Sequence, residues 1–199
     1  MGARGRRTLL VDSRGDSVTS SGLAQLVEAA GLGGGAAFDW AAAERRLRMR
    51  VPRDYRRLLD AGGHGLWFDH LVLFAPGDRY GARDLLDGDG VFADLQLFWA
   101  DDPGYRPAGL ADGDRLIAWA GTGIGATLYW LVSAEADGDG HPLYVESADG
   151  DQWERFDLTT TDFLAGVLRG TVRSELLSAH FLDVGRVFRP YADFGSEPA

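Results

Sequence analysis

The chain contains no cysteine and no lysine, only two methionines, and no apolar run of membrane-spanning length. Each absence removes a class of protein. Without thiols there is no disulfide framework, no thiolate metal site and no cysteine nucleophile, which fits a reducing compartment. A bilayer span needs about 18 uninterrupted apolar residues, and none of the runs approaches that. The pair Arg6 and Arg7 stands where an export signal begins, but only "TLLV" separates it from Asp12, Arg14 and Asp16. Such a signal requires roughly 7–15 apolar residues at that point, so a cytoplasmic protein is expected, with no membrane partner. Arginine is the sole strong base, at 20 residues. With abundant Ala, Gly and Asp this marks a GC-rich genome, so arginine content alone carries no functional meaning.

What is present suits one domain with extensions: 199 residues, 45% apolar and 25% charged, enough for one substantial core. The net charge of −10 is unevenly spread, with 11 Arg against 7 acids in residues 1–60 and 9 Arg against 23 acids in the remainder. A phosphate-tracking groove needs a continuous basic face. The basic run "ERRLRMRVPRDYRR" reads instead as the solvated side of helices whose other side holds Trp40, Leu47, Tyr55, Leu58 and Leu59, so no nucleic-acid partner is expected. The acidic body favours a basic protein partner.

Along the chain, "SSGLAQLVEAAG" predicts a short helix over about 21–30, and "GLGGGAA" a flexible joint. Asp39 caps a helix over "WAAAERRL". Pro52 opens a second over "RDYRRLLDA" that stops at Gly62 and Gly63. From Leu66 the pattern becomes strand-like, in "LWFDHLVLF", "RLIAWA", "TLYWLVS" and "PLYVES", separated by Gly/Asp turns. After "QWERFDL", a Thr-capped helix "TDFLAGVLRG" ends at Gly170, "TVRSELLSAHFL" predicts another, and "GRVFRPYADFGSEPA" is left as a tail. The expected fold is α+β: N-terminal helices, an antiparallel sheet of about five or six strands, and C-terminal helices. Residues 1–20 read as a flexible N-terminal extension, 21–192 as the domain and 193–199 as a tail.

The candidate chemistry fails on spacing. "AGTGIGATLYWLV" clusters glycines after a strand, but a strand-like run follows where a phosphate cradle needs a helix N-terminus. Counting a calcium loop from Asp137 puts Pro142 at the sixth position and Ala148 at the twelfth, where Gly and Glu are required; from Asp87 the sixth position is Phe92. His64 and His70 are not at helical metal-ligand spacing, and His64 reads as a polar contact at a helix C-terminus. No Ser sits in a G-x-S-x-G elbow, and Asp101 and Asp102 lie in an exposed segment without the desolvation that acid catalysis uses. Neither a catalytic residue, a metal nor a cofactor is expected.

The residues left as structural carry a resemblance. "FDWAAAERRLRMRVPRDYRRLLDAGGHG" is similar to the opening signature of the SUKH (SMI1/KNR4) family, with Trp40, Glu44, Leu47, Pro52, Asp54, Tyr55, Leu58 and Gly63 at the matching places. "LIAWAGTGIGATLYWLV" resembles the family's strand, Gly-rich turn and aromatic strand, "WERFDLTTTDFLAGVLRG" its closing strand and helix, and "FRPY" the tail of actinobacterial members. The resemblance implies a non-enzymatic protein-binding domain: in bacteria an immunity protein that neutralises a polymorphic toxin, in fungi a regulatory interaction module. The expected partner is a basic toxin domain encoded nearby. Acidic loops flanked by aromatics suit that role, which points to Trp67, Trp99, Asp101, Asp102, Tyr105, Asp137 and Asp139 as partner-binding residues. The rivals are a regulatory scaffold and a small-ligand or enzymatic pocket lined by Trp67, Trp99, Trp119, Tyr129 and Trp130.

Overall fold

A computed structural model describes residues 15–78, 83–134, 138, 140–177 and 186–190. The order of elements is α1 (Gly15–Ala30), α2 (Trp40–Leu47), α3 (Arg53–Asp60), β1 (Gly65–Trp67), β2 (Leu71–Leu73), α4 (Gly88–Asp101), β3 (Arg115–Thr122), β4 (Thr127–Val132), β5 (Leu143–Glu146), β6 (Trp153–Phe156), α5 (Thr160–Leu168) and β7 (Phe188–Pro190). The fold is α+β, with one antiparallel sheet of seven strands in the order β6-β5-β4-β3-β2-β1-β7. No helix among the described residues is long and apolar enough to cross a membrane.

The period of two along the strands divides the apolar side chains between two layers. Ile117, Trp119, Leu128, Trp130, Leu143 and Val145 point to one face, where they pack with Leu26, Leu47, Tyr55, Leu58 and Phe163 from the helices. Leu116, Ala118, Tyr129, Leu131 and Tyr144 point to the other, under Phe92 and Trp99 of α4. The register of β3 against β4 slips between Ala118 and Ala120, a bulge that puts Trp119 and Ala120 together on the helical face. Tyr55 reads this bulge directly, its hydroxyl lying 2.6 Å from the Phe74 carbonyl and 2.9 Å from that of Trp119.

The segment from Asp39 to Gly63 links the helical layer to the sheet. Asp39 accepts from the Ala42 N–H and caps α2 as expected. Glu44 holds the link to α3, accepting from the Val51 N–H at 3.2 Å and pairing with Arg50 and Arg56. Leu47, Val51, Tyr55, Leu58 and Leu59 have no exposed area, while Arg45, Arg46, Arg53 and Arg57 face solvent. The stretch 51–74 is therefore the joint between helices and sheet. Gly62 turns the chain with φ +98°, and a Cβ there would collide with the carbonyl oxygen of Gly34. Only glycine fits both conditions.

Five expectations need correction. Helix α1 begins at Gly15 rather than near 21. "LWFDHLVLF" is two strands joined by the turn 68–70, in which Phe68 and Asp69 are left-handed (φ 53° and 59°) and the His70 N–H donates to the Trp67 carbonyl. This is a tight hairpin turn built without the Asn-Gly pair that signals one. The 88–101 region, taken for turn and loop, is helix α4. The tail contributes β7, which pairs with β1 and raises the strand count beyond six. Finally, residues 171–177 form turns rather than helix, because Glu154 on β6 accepts from the Ser174 hydroxyl and the Glu175 N–H and holds the segment against the sheet. The remainder of that expected helix lies outside the described residues, as do residues 1–14 and 191–199.

Candidate protein-binding surface

Helix α4 has one buried apolar face and a second, exposed face of mixed character. Phe92 and Trp99, each 7% exposed, and the partly buried Leu95 repeat at helical spacing and seat the helix on the sheet. Asp94, Leu97, Phe98 and Asp101 recur at i, i+3, i+4 and i+7 on another face, and all four are exposed. Leu97 is 69% exposed and Phe98 43%. An apolar pair that stays in water, Leu97 and Phe98 between two carboxylates, is the informative feature, because a chain gains nothing from it by folding alone.

The surroundings extend the surface. At the C-terminal end of α4, Asp102 accepts from the Gly104 N–H and starts a 3-10 turn over Pro103–Tyr105. The Tyr105 ring lies 4.7 Å from that of Phe98, and the Trp153 indole donates to the Tyr105 carbonyl at 2.8 Å, tying the turn to β6. The β5–β6 turn comes up beside them, with Gly150 against Phe98 and the exposed Asp149 and Asp151 on either side of it. Ser147 and Asp151 fasten this turn by a 2.8 Å hydrogen bond. The two exposed apolar side chains thus have Asp94 and Asp101 one helical turn away on either side, Asp102 at the helix end, and Asp149 and Asp151 flanking the Gly150 that meets Phe98.

Beneath the surface, the Tyr129 hydroxyl donates to Glu146 at 2.5 Å. Burial raises the Glu146 carboxyl above the ordinary carboxylate range, against the opposing effect of the Tyr129 hydrogen bond. Burial also raises Tyr129 far above the usual phenol value, with the neighbouring charge of Glu146 adding to it. This pair is a polar strut under α4. His64 pairs with Asp78 at 2.7 Å, a carboxylate partner in place of the helix terminus expected for it. No three His, Cys, Asp or Glu side chains among the described residues gather as a metal site.

The residues anticipated for partner binding separate into three groups. Asp101 and Asp102 are exposed and Tyr105 is half-buried, all on the α4 surface. Trp67 is a correction: it has no exposed area, packs in the helical layer and donates to the Gly63 carbonyl, so it offers a partner nothing. Trp99 is nearly so, since its indole faces the sheet as an α4 anchor. Asp137 and Asp139 lie outside the described residues. The aromatic pocket also fails, because Trp67, Trp119 and Trp130 belong to one sheet face and Trp99 and Tyr129 to the other, all buried. Leu97, Phe98 and Asp94 were missed because α4 itself was missed; their spacing against Phe92, Leu95 and Trp99 is the signal that finds them.

Comparison with protein-family models, with curated proteins and with solved structures returns no match.

Proposed function

We propose that this chain is a non-enzymatic protein-binding domain that masks a basic partner, and that the partner is a toxin domain encoded beside it, as for an immunity protein of the SUKH kind. The observation that carries the reading is the exposed face of α4, where Leu97 and Phe98 sit among five carboxylates. An apolar centre with a charged rim is the anatomy of a protein interface. Its sign of charge selects the partner, since a basic surface is attracted before contact and a like-charged one is turned away. The resemblance of the motifs around Trp40, Glu44, Pro52 and Tyr55 to the SUKH signature supports this reading, and the net charge of −10 supports a basic partner.

Co-expression with the neighbouring toxin domain tests the reading. The expected result is survival of the host and recovery of the two chains as one complex. Death of the host with no complex recovered contradicts it. Recovery of other proteins, without protection, transfers the domain to the regulatory-scaffold class.

A further inference from the structure

The hydrogen bond between Tyr129 and Glu146 uses only half of the carboxylate. Oε2 accepts from the Tyr129 hydroxyl, while Oε1 accepts no hydrogen bond and meets no cation among the described residues. We infer that Glu146 is the anchor for an arginine side chain of the partner, received in a notch between Phe98 and the β5–β6 turn.

The first support is the isolation of the carboxylate. Glu146 is 9% exposed, and a glutamate this buried is ordinarily paired with a cation. The described arginines nearest in sequence are engaged elsewhere, Arg155 with Asp157 and Arg106 with Asp112 and the Leu110 carbonyl. Burial disfavours the charged form of Glu146, and the Tyr129 hydroxyl alone opposes it. A cation arriving from outside removes that cost.

The second is where the unused oxygen lies. A Cβ built on Gly150 would stand 3.5 Å from Glu146 Oε1 and 3.8 Å from Phe98 Cε1. The bare Cα of the turn therefore borders the carboxylate on one side and the exposed ring on the other. Gly150 is left-handed, φ +73°, so the turn itself disfavours a side chain and keeps the notch open. Its N–H donates to the Ser147 carbonyl at 3.0 Å, and Ser147 bonds Asp151, which fixes the turn in place.

The third is the chemistry of the rim. The rings of Phe98 and Tyr105 lie 4.7 Å apart, a platform for the flat face of a guanidinium whose edge donates to Oε1. The exposed Asp149 and Asp151 on either side of Gly150 attract positive charge to the mouth. Arginine is also among the side chains that carry most of the energy of protein interfaces. The inference takes its partner from the protein-binding reading above and names the side chain that such a partner inserts.

Nuclear magnetic resonance titration of the full chain with N-acetyl-argininamide, and with its neutral isostere N-acetyl-citrullinamide, tests the notch without any toxin domain. The expected result is saturable shifts of the Phe98 and Gly150 amides and the Glu146 carboxyl carbon, with a dissociation constant below about 20 mM at physiological salt. Binding should weaken at least about tenfold in E146Q, which keeps an acceptor for Tyr129, and measurably in F98A, a change at an exposed position. It should stay unchanged in E28Q, an exposed carboxylate elsewhere. Unaltered melting temperature shows that F98A is folded. Absence of saturation at these resonances, equal affinity in E146Q and F98A, or equal binding of the citrulline compound overturns the inference. Failure of the co-expression test with argininamide still bound removes the toxin and leaves the notch; protection without argininamide binding does the reverse.

Discussion

The carboxylate of Asp54, in the first turn of α3, accepts a hydrogen bond of 2.7 Å from the backbone N–H of Thr161, in the first turn of α5. The two residues stand 107 apart in sequence, and Asp54 is 4% exposed. One side chain therefore supplies a charge-assisted partner for an otherwise orphaned helix N-terminus and fixes α5 to α3. Asp54→Ala leaves that N–H buried without an acceptor and should cost about 1.5–3 kcal/mol. Asp54→Asn keeps an acceptor and should cost less. Urea titrations of both variants check the order.

The face of α3 is tested by a pair five residues apart, on opposite sides of the helix. Leu58 has no exposed area and Arg53 is exposed, so Leu58→Ala should cost about 2–5 kcal/mol by opening a cavity. Arg53→Ala should stay within about 0.5 kcal/mol of the parent. Equal shifts in the two denaturant midpoints contradict the orientation of the helix.

The Glu146 carboxyl gives a pH dependence of defined sign. Because burial raises its folded value, the folded chain holds this proton more tightly than the unfolded one. Its contribution to stability is full below the ordinary carboxylate range and is lost as pH rises through the raised folded value. Glu146→Gln keeps an acceptor for the Tyr129 hydroxyl and removes the charge. Melting temperatures followed from about pH 4 to pH 8 should fall less steeply in Glu146→Gln than in the parent, with the variant the more stable at neutral pH.

How much was legible in the sequence follows from which forces act locally. The α2–α3 signature was readable because Asp39, Pro52 and Gly62 act on their own backbone neighbours and because Leu47, Tyr55 and Leu58 keep a helical period. Strands β3 to β5 were readable from their apolar runs and Gly/Asp turns. The hairpin at Phe68 and Asp69 was not, because its left-handed residues are held by tertiary contacts: the Phe68 N–H donates to the Val187 carbonyl, and Asp69 accepts from the Arg186 N–H. Strand β7 is three residues that gain their order from β1. Helix α4 was hidden by glycines at 88 and 90 that imitate a turn, and by the exposed apolar pair Leu97 and Phe98 that blurs its period. The exposed acids at 101 and 102 were legible from composition, whereas their apolar companions needed the helix.

The acidic rim should act on encounter more than on final affinity. Asp101→Asn with Asp102→Asn should slow association with the toxin domain several-fold at low salt and flatten its salt dependence, with dissociation nearly unchanged. Stopped-flow measurements across a salt series separate the two rates.

The central claim is that the outward face of α4 is where the partner sits, and the affinity of a variant stripped of its apolar centre tests it most directly. Leu97→Ser with Phe98→Ser removes the two exposed side chains while Phe92, Leu95 and Trp99 still seat the helix. Calorimetry against the toxin domain should show binding weakened by at least about thirtyfold, the loss of a central anchor worth about 2 kcal/mol, with the melting temperature close to that of the parent. A folded double variant that binds with the parent's affinity contradicts the account.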